Sequence, residues 1–435
     1  MHPDRREKAL TSAAPPEISP GHLHLSVALD GAGWHPAAWR EPRARPAELL
    51  TAGYWVDFIQ EAERGLLDFV TIEDGLSLQS ARRFSPDSRT DQVRGRLDAV
   101  LIAARAAPVT RHIGLVPTVI ATHTEPFHIS KAIATLDYVS TGRAGVRVRV
   151  SLSPHEAAHF GRRSFVPPAL PALDLADPAE RDLPQARELI ADGFDEAADY
   201  VEVVRRLWDS WEDDAEIRDV TTGRFVDRSK LHYIDFDGRW FAVKGPSITP
   251  RPPQGQPVVA VLGHAAVPYR LIARAADVGF VTPRDTGHAA QIVAEIRAAQ
   301  DQAGRAGERL HVFGDLVVFL GPDVAAARSR LDRLDAVAEA RYENDALIFT
   351  GTAAGLADLL QEWRQAGLTG FRLRPGAIPD DLEAITRDLV PELQRRGVFR
   401  REYEATTLRG LLGFGRPANR YASAGASSGA TEDPT

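Results

Sequence analysis

Short runs of strand-like hydrophobicity alternate along this chain with stretches of helical spacing. Residues 22–29 (HLHLSVAL) alternate apolar and polar positions and predict a first strand. Residues 46–64 have helical spacing that stops at Gly65, and the apolar run 67–73 (LDFVTIE) predicts a buried strand. The pairing repeats with helix 91–106 before strand 113–120 (IGLVPTVI), and helix 126–139 before strand 145–152 (GVRVRVSL). After a long interruption, strands are predicted at 257–262, 278–281, 312–320 and 370–373, with helical segments between and after them. Strands separated by helices imply a parallel sheet with right-handed crossovers, and eight such units predict a closed (β/α)8 TIM barrel. An open doubly wound sheet would usually show a Gly-rich turn after strand one, and none is present.

Two insertions interrupt the repeat. Residues 151–189 are Pro-rich (VPPALPALDLADP), too long for an ordinary connection, and predict a lid or active-site loop. Residues 217–243 predict a hairpin-like excursion with Asp237-Gly238 as its tight turn. Both are expected on the C-terminal face of the barrel, where loops build the site. Residues 1–20 read as a disordered segment, 21–416 as the barrel domain and 417–435 as a flexible tail.

Composition narrows the function classes. Lys plus Arg is 52 against 60 for Asp plus Glu, so the net charge of −8 argues against nucleic acid or an anionic membrane as partner. The absence of Cys removes disulfides, a thiolate nucleophile and Cys-ligated metal, and favours a reducing compartment. No apolar run approaches the ~18 residues of a membrane span, and the first residues have no apolar h-region. A cytoplasmic enzyme is the expectation. His155-Glu156-Ala157-Ala158-His159 matches the zinc motif H-E-x-x-H, with Ser153 and Pro154 suited to start a short helix. Gly161 would end that helix one turn later and no third ligand follows at a recognisable spacing. A capped surface turn is therefore the preferred reading, no metal is assigned, and a zinc hydrolase is the minor alternative.

Five segments taken together resemble the bacterial-luciferase-like flavin-dependent monooxygenases, in particular the nitrilotriacetate and dibenzothiophene-sulfone group. They are GWHPAAWREP (33–42), EAERGLLDFVTIEDGL (61–76), THTEPFHISKAIATLDYVSTGRAG (122–145), LWDSWEDDA with GRFVDRSKLHYIDFDGRWFAVKGP (207–246), and VPELQRRGVFRREYEATTLRGLLGFGRPAN (390–419). The resemblance spans about 22–420. It implies a (β/α)8 barrel that takes reduced flavin mononucleotide (FMN) from a separate flavin reductase and uses O2 to oxygenate a small organic substrate. It also implies a homodimer or tetramer.

Carried over by position, Asp74 matches the family's acid beside the flavin ring, and His35 lies on the loop that faces the ring. His35 and His123 are the candidate catalytic proton donors. Thr122 and His123 follow strand three, where the family places polar contacts to the flavin; Ser151, Gly263, His264 and Ala265 complete the candidate cofactor contacts. The departures are equally specific. The family's "GWNxVTS" is Gly145-Val146-Arg147-Val148-Arg149-Val150-Ser151, its "Gly-Ser-Ser" turn is Gly263-His264-Ala265, its phosphate-site Tyr is Phe194, and its Asn before Phe-Gly is His159. Arg147, Arg149 and Ser151 share one strand face. The expectation is that Arg147 and Arg149 form the anion end of the site, against a competing ion pair with Glu73, Asp74 or Glu125. The alternatives are a degenerate barrel without turnover, or a deazaflavin enzyme whose longer anionic tail meets the two Arg.

Overall fold

The apolar runs of the sequence close into one parallel ring. In the computed structural model, which describes residues 22–80, 86–163, 181 and 183–422, the ring strands are β1 (His24–Leu29), β2 (Phe69–Ile72), β3 (Gly114–Ile120), β4 (Gly145–Arg149), β5 (Val258–Gly263), β6 (Val278–Val281), β7 (His311–Leu320) and β8 (Gly370–Pro375). Each pairs in parallel with the next, and β8 pairs with β1 through His24–Gly370 to Val27–Leu373, so the barrel is closed. Helices including Ala52–Arg64, Pro126–Val139, Pro184–Asp209 and Thr286–Gln302 return the chain between strands. All four bury one face, as amphipathic spacing requires.

Several boundaries differ from the expectation. The helix predicted over 91–106 begins only at Ala99, where the Asp98 side chain accepts from the Leu101 N–H. The segment 46–64 divides into a 3-10 turn, Pro46–Glu48, and a helix capped by Thr51. A ninth strand, Leu347–Gly351, was absent from the sequence reading; it pairs with the upper half of β7, from Leu316–Leu347 to Leu320–Gly351.

Of the two insertions, 151–189 follows β4 and opens on the C-terminal face as expected; residues 164–180 and 182 lie outside the described residues. The excursion 217–243 does not share that face. It joins the end of helix Pro184–Asp209 to the start of β5, so it leaves and re-enters at the N-terminal end. Of its two small hairpins, the second lies along the outside of that helix, where Arg239 reaches Asp192 at 2.8 Å. Asp237-Gly238 begins a four-residue connection between Phe236–Asp237 and Ala242–Val243. The tail expected at 417–435 is anchored through 422: the Asn419 side chain donates to Asp209 and Trp211 carbonyls at 2.8 Å, and Tyr421 stacks on His232. Residues 1–21 and 423–435, the remainder of the expected disordered ends, lie outside the described residues.

The two ends of the barrel are unlike. At the N-terminal end Phe69, Val116, Val258, Phe280 and Phe313 form an apolar layer, and Leu408 and Leu412 of the C-terminal segment cover it. Leu408 is fully buried and sits over Gly114 and Gly145, whose missing side chains leave its room. Leu408→Ala should therefore lower unfolding stability by about 2–5 kcal/mol through lost burial and a cavity. Chemical denaturation measures this, and an unchanged midpoint would show that the plug is dispensable.

Candidate active site

Above the apolar layer, period-two alternation turns polar side chains inward on five strands. Thr71 and Glu73 come from β2 and the residue following it closely, Thr118 from β3, Arg147 from β4, Asp315 from β7, and Arg372 with Arg374 from β8. All are buried. Arg147 Nη1 donates to Glu73 Oε2 at 2.7 Å and to Thr118 at 3.0 Å. Arg372 reaches Glu73 at 3.3 Å and Asp315 at 2.5 Å. Asp315 also takes Arg374, which continues to Asp345 at 2.6 Å. Asp345 meets His264 Nε2 at 3.1 Å, and His264 Nδ1 contacts the Thr282 hydroxyl at 3.0 Å. An unpaired charge at this depth would be destabilising by several kcal/mol, and this chain of pairs removes that penalty.

Over this network lies a cavity of about 380 Å3 at the C-terminal mouth between β4 and β5. Its walls include Arg149, Ser151, Ser153, Glu156, Phe194 and His264. Arg149 differs from the other inward arginines. Its Nη1 donates to the Asp74 carbonyl at 2.8 Å, and no carboxylate lies in ion-pair range among the described residues. Across the cavity, β5 ends at Gly263 and helix Ala266–Ala275 starts with no side-chain cap, leaving first-turn N–H groups available to an anion.

The match to the luciferase-like monooxygenase model runs over residues 34–358. The chain belongs to that family. It is 30% identical to N-acetyl-S-(2-succino)cysteine monooxygenase of Bacillus subtilis (strain 168), with 92% of this chain and 98% of that one covered. It is 28% identical to nitrilotriacetate monooxygenase component A of Aminobacter aminovorans, again covering 92% and 98%. A solved long-chain alkane monooxygenase superposes with a TM-score of 0.78 at 24% identity, covering 90% of this chain and 95% of that one, which supports the fold. As a luciferase-like monooxygenase, the protein is a flavin-dependent oxidoreductase.

The structure brings Arg147, Ser151 and His264 to the cavity wall and sets others aside. Arg147 and Arg149, expected to act together, are separated: Arg147 is held in the ion-pair network, and Arg149 alone remains for an external anion. The Asp74 carboxylate accepts from the Gly75 and Ala99 N–H groups, so it shapes the loop and only its carbonyl touches the site wall. The inward acid is Glu73. His35 is buried, accepts from the Ala37 N–H at Nδ1 and meets Asp335 at Nε2. Burial holds its pKa below the usual value, with Asp335 opposing. With both ring nitrogens engaged, by the Ala37 N–H and Asp335, it braces the first loop. Thr122 accepts from the Ser151 N–H at 2.9 Å and so positions that residue. His123 stacks on Phe160, with ring centroids 5.1 Å apart, behind the cavity wall; burial lowers its pKa and Glu156 opposes this. The zinc motif forms a five-residue helix, Pro154–Ala158, with Ser153 capping Glu156. Glu156 accepts from Ser77 at 3.1 Å, and among the described residues no group of three or more His, Cys, Asp or Glu could hold a metal ion.

Sequence reasoning missed Asp315, Arg372, Arg374 and Asp345. The signal was available in GFRLRP at 370–375, where Arg alternates with apolar residues as it does in GVRVR.

The network has a measurable acid limit. Burial raises the Glu73 carboxyl, but Arg147, Arg372 and Arg374 overcome this and hold it at about 2 against a usual 4.5. A depressed folded pKa stabilises the fold above the unfolded pKa and ceases to do so as pH falls through the folded one. Thermal midpoint should thus fall from about pH 4.5 towards pH 2, where Glu73 protonates. Glu73→Gln should start lower at pH 7 and lose less over that interval. Parallel pH profiles for both proteins would exclude Glu73 as the titrating group.

Proposed function

We propose that the chain is the oxygenase component of a two-component system, taking reduced FMN from a separate reductase and oxygenating a small organic substrate with O2. The observation that carries this reading is Arg149, a cation without a carboxylate partner among the described residues, in a cavity whose other arginines are paired. When bound, the reduced flavin supplies the electrons that let one oxygen atom of O2 enter the substrate while the other leaves as water.

The residues present fit that cofactor. Arg149 binds a phosphate through its planar fork. Ser151, Ser153 and the backbone from Gly263 to Ala265 offer further hydrogen bonds, which replace the hydroxyls lost at Phe194 and His264. His264 is oriented by Thr282 and Asp345, and Phe194 and Leu271 provide apolar wall that excludes water. The deazaflavin alternative drew on two free cations for a longer anionic tail. With Arg147 committed to Glu73, a single phosphate is the better match. The same reading places the protein in the cytoplasm as a homodimer or tetramer, exchanging flavin with its reductase by transient contact or diffusion.

Arg149→Met and Arg147→Met separate the two guanidinium roles. Loss of Arg149 should weaken FMN binding about 10–100-fold, the scale of a charge-assisted hydrogen bond, while riboflavin affinity and thermal midpoint hold. Loss of Arg147 should lower the midpoint by stranding Glu73. Flavin fluorescence titration with both ligands reads the difference, and equal weakening of FMN and riboflavin at Arg149 would overturn the phosphate assignment. Oxygen uptake with a reductase, NADH and FMN distinguishes turnover from a degenerate flavin-binding barrel.

A further inference from the structure

The part of the cavity over Gly75 has features that an FMN phosphate site does not account for. A Cβ built on Gly75 would lie 3.1 Å from Arg149 Nη1, 3.3 Å from Arg96 Nη1 and 4.0 Å from Glu156 Oε1. The absent side chain leaves a polar niche between these groups. Arg96 engages Asp30 through Nε and Nη2 only, so its Nη1 remains on the niche side of that pair.

Two acceptors of this cavity's lining residues have no hydrogen-bond partner among the described residues. Glu156 is 3% exposed; its Oε1 accepts from Ser77, while Oε2 has no hydrogen-bond partner. Gln79 donates to the Gly95 carbonyl at 3.1 Å, and its Oε1 is buried without a partner. Both residues line the cavity, and Gln79 with Arg96 also lines a second cavity of about 280 Å3 next to it. Buried acceptors are nearly always paired in folded proteins, so an unsatisfied pair bordering a cavity is suited to donors brought by a ligand. An alkane or a dialkyl sulfide carries no such donor.

We propose that this niche is the substrate-recognition subsite, and that it selects a small molecule combining an N–H donor with a carboxylate, an amino- or amidocarboxylate. Glu156 Oε2 and Gln79 Oε1 accept the substrate N–H, and Arg96 Nη1 meets its carboxylate. The inference rests on the reading of this cavity as the flavin and substrate site, and it adds which group of the substrate is read and by which residues.

The test uses the full chain loaded with oxidised FMN and two probes of matched length, iminodiacetate and diglycolate, in which a secondary ammonium, protonated at neutral pH, stands in place of an ether oxygen. Calorimetric titration should give at least tenfold tighter binding of iminodiacetate. In Glu156→Gln the ratio should collapse towards one, because the carboxylate that meets the probe's ammonium is replaced by a neutral amide. Gln79→Leu should reduce the ratio in the same direction by removing the second acceptor. FMN affinity should stay within about twofold in both variants; the thermal midpoint of the ligand-free protein should stay level or rise in Glu156→Gln, where a buried charge becomes neutral, and fall slightly in Gln79→Leu, which also loses the hydrogen bond to the Gly95 carbonyl. Equal affinity for the two probes, no detectable binding of either, or a ratio unaffected by Glu156→Gln would overturn the proposal while leaving the flavin reading intact. Failure of the wild-type protein to bind FMN would instead overturn the reading beneath it. A lower midpoint in Glu156→Gln with unchanged probe preference would make Glu156 a structural partner of Ser77.

Discussion

The Asp315 carboxylate, shared by Arg372 and Arg374, is the interaction on which the barrel interior depends. It is completely buried, and its two guanidinium partners lead outward to Glu73 and Asp345. Barrels of this architecture usually fill their centre with layers of branched apolar side chains. Here the lowest layer follows that pattern and the next two are ionic. A buried ion pair adds little net stability over an apolar pair of equal volume, but removing one partner strands the other at large cost. Arg–carboxylate forks also demand a narrow geometry. The network therefore ties β4, β7 and β8 to the acid that follows β2 by direction as well as by fit, and fixes the floor of the cavity.

That floor also sets the charge of the site. Arg147, Arg372 and Arg374 are balanced by Glu73, Asp315 and Asp345, while Arg96 is balanced by Asp30. Arg149 is the one of these arginines outside the pairs, in a cavity whose wall also carries the Glu156 carboxylate. Two positions beyond Arg147 on the same strand, it lies where the barrel opens, and its guanidinium is half-buried instead of enclosed. The sequence departures from the family thus form a connected set: Arg147 is accommodated because Glu73 lies beside it, and Arg149 contributes charge where relatives contribute hydroxyls.

How much of this was legible in the sequence depends on the range of the interaction. The ring strands were readable because a parallel barrel strand is a continuous apolar run between turn residues, a local property. Leu347–Gly351 escaped notice because LIFTG is short and only half-buried, and it becomes a strand by joining the edge of β7. Glu73 and Asp74 were both visible as acids at the end of β2, but the choice between them was a matter of phase. Thr71 is buried and donates no clue by itself, yet period two carries its inward face to Glu73 and turns Asp74 towards the next loop. The excursion 217–243 was misplaced because loop-rich segments in barrels are associated with the active face; chain order places it after a helix and therefore at the opposite end. Arg147 and Arg149 could be seen to share a face, with Glu73 among the candidate partners; that Arg147 alone takes it was not readable, because Glu73 follows another strand, 74 residues away from Arg147.

Stability and recognition make opposite demands on the cavity mouth. The N-terminal end meets only the first demand: Leu408 and Leu412 close it, and the buried Asp68 carboxylate there takes the Leu25 N–H, His24 and Arg400. At the mouth a carboxylate oxygen is held open towards the cavity. Ser153 caps the helix that carries Glu156 and Ser77 occupies one of its oxygens, so the side chain is held in place while Oε2 is left without a partner. Such a group is retained at a cost in folding free energy unless a ligand completes it, which is the usual signature of a site where function opposes stability. The rigid ionic floor makes this tolerable, because the barrel beneath does not rely on the mouth for its registers. An acceptor can then be kept unsatisfied in the free protein, and its hydrogen bond formed only when a donor arrives.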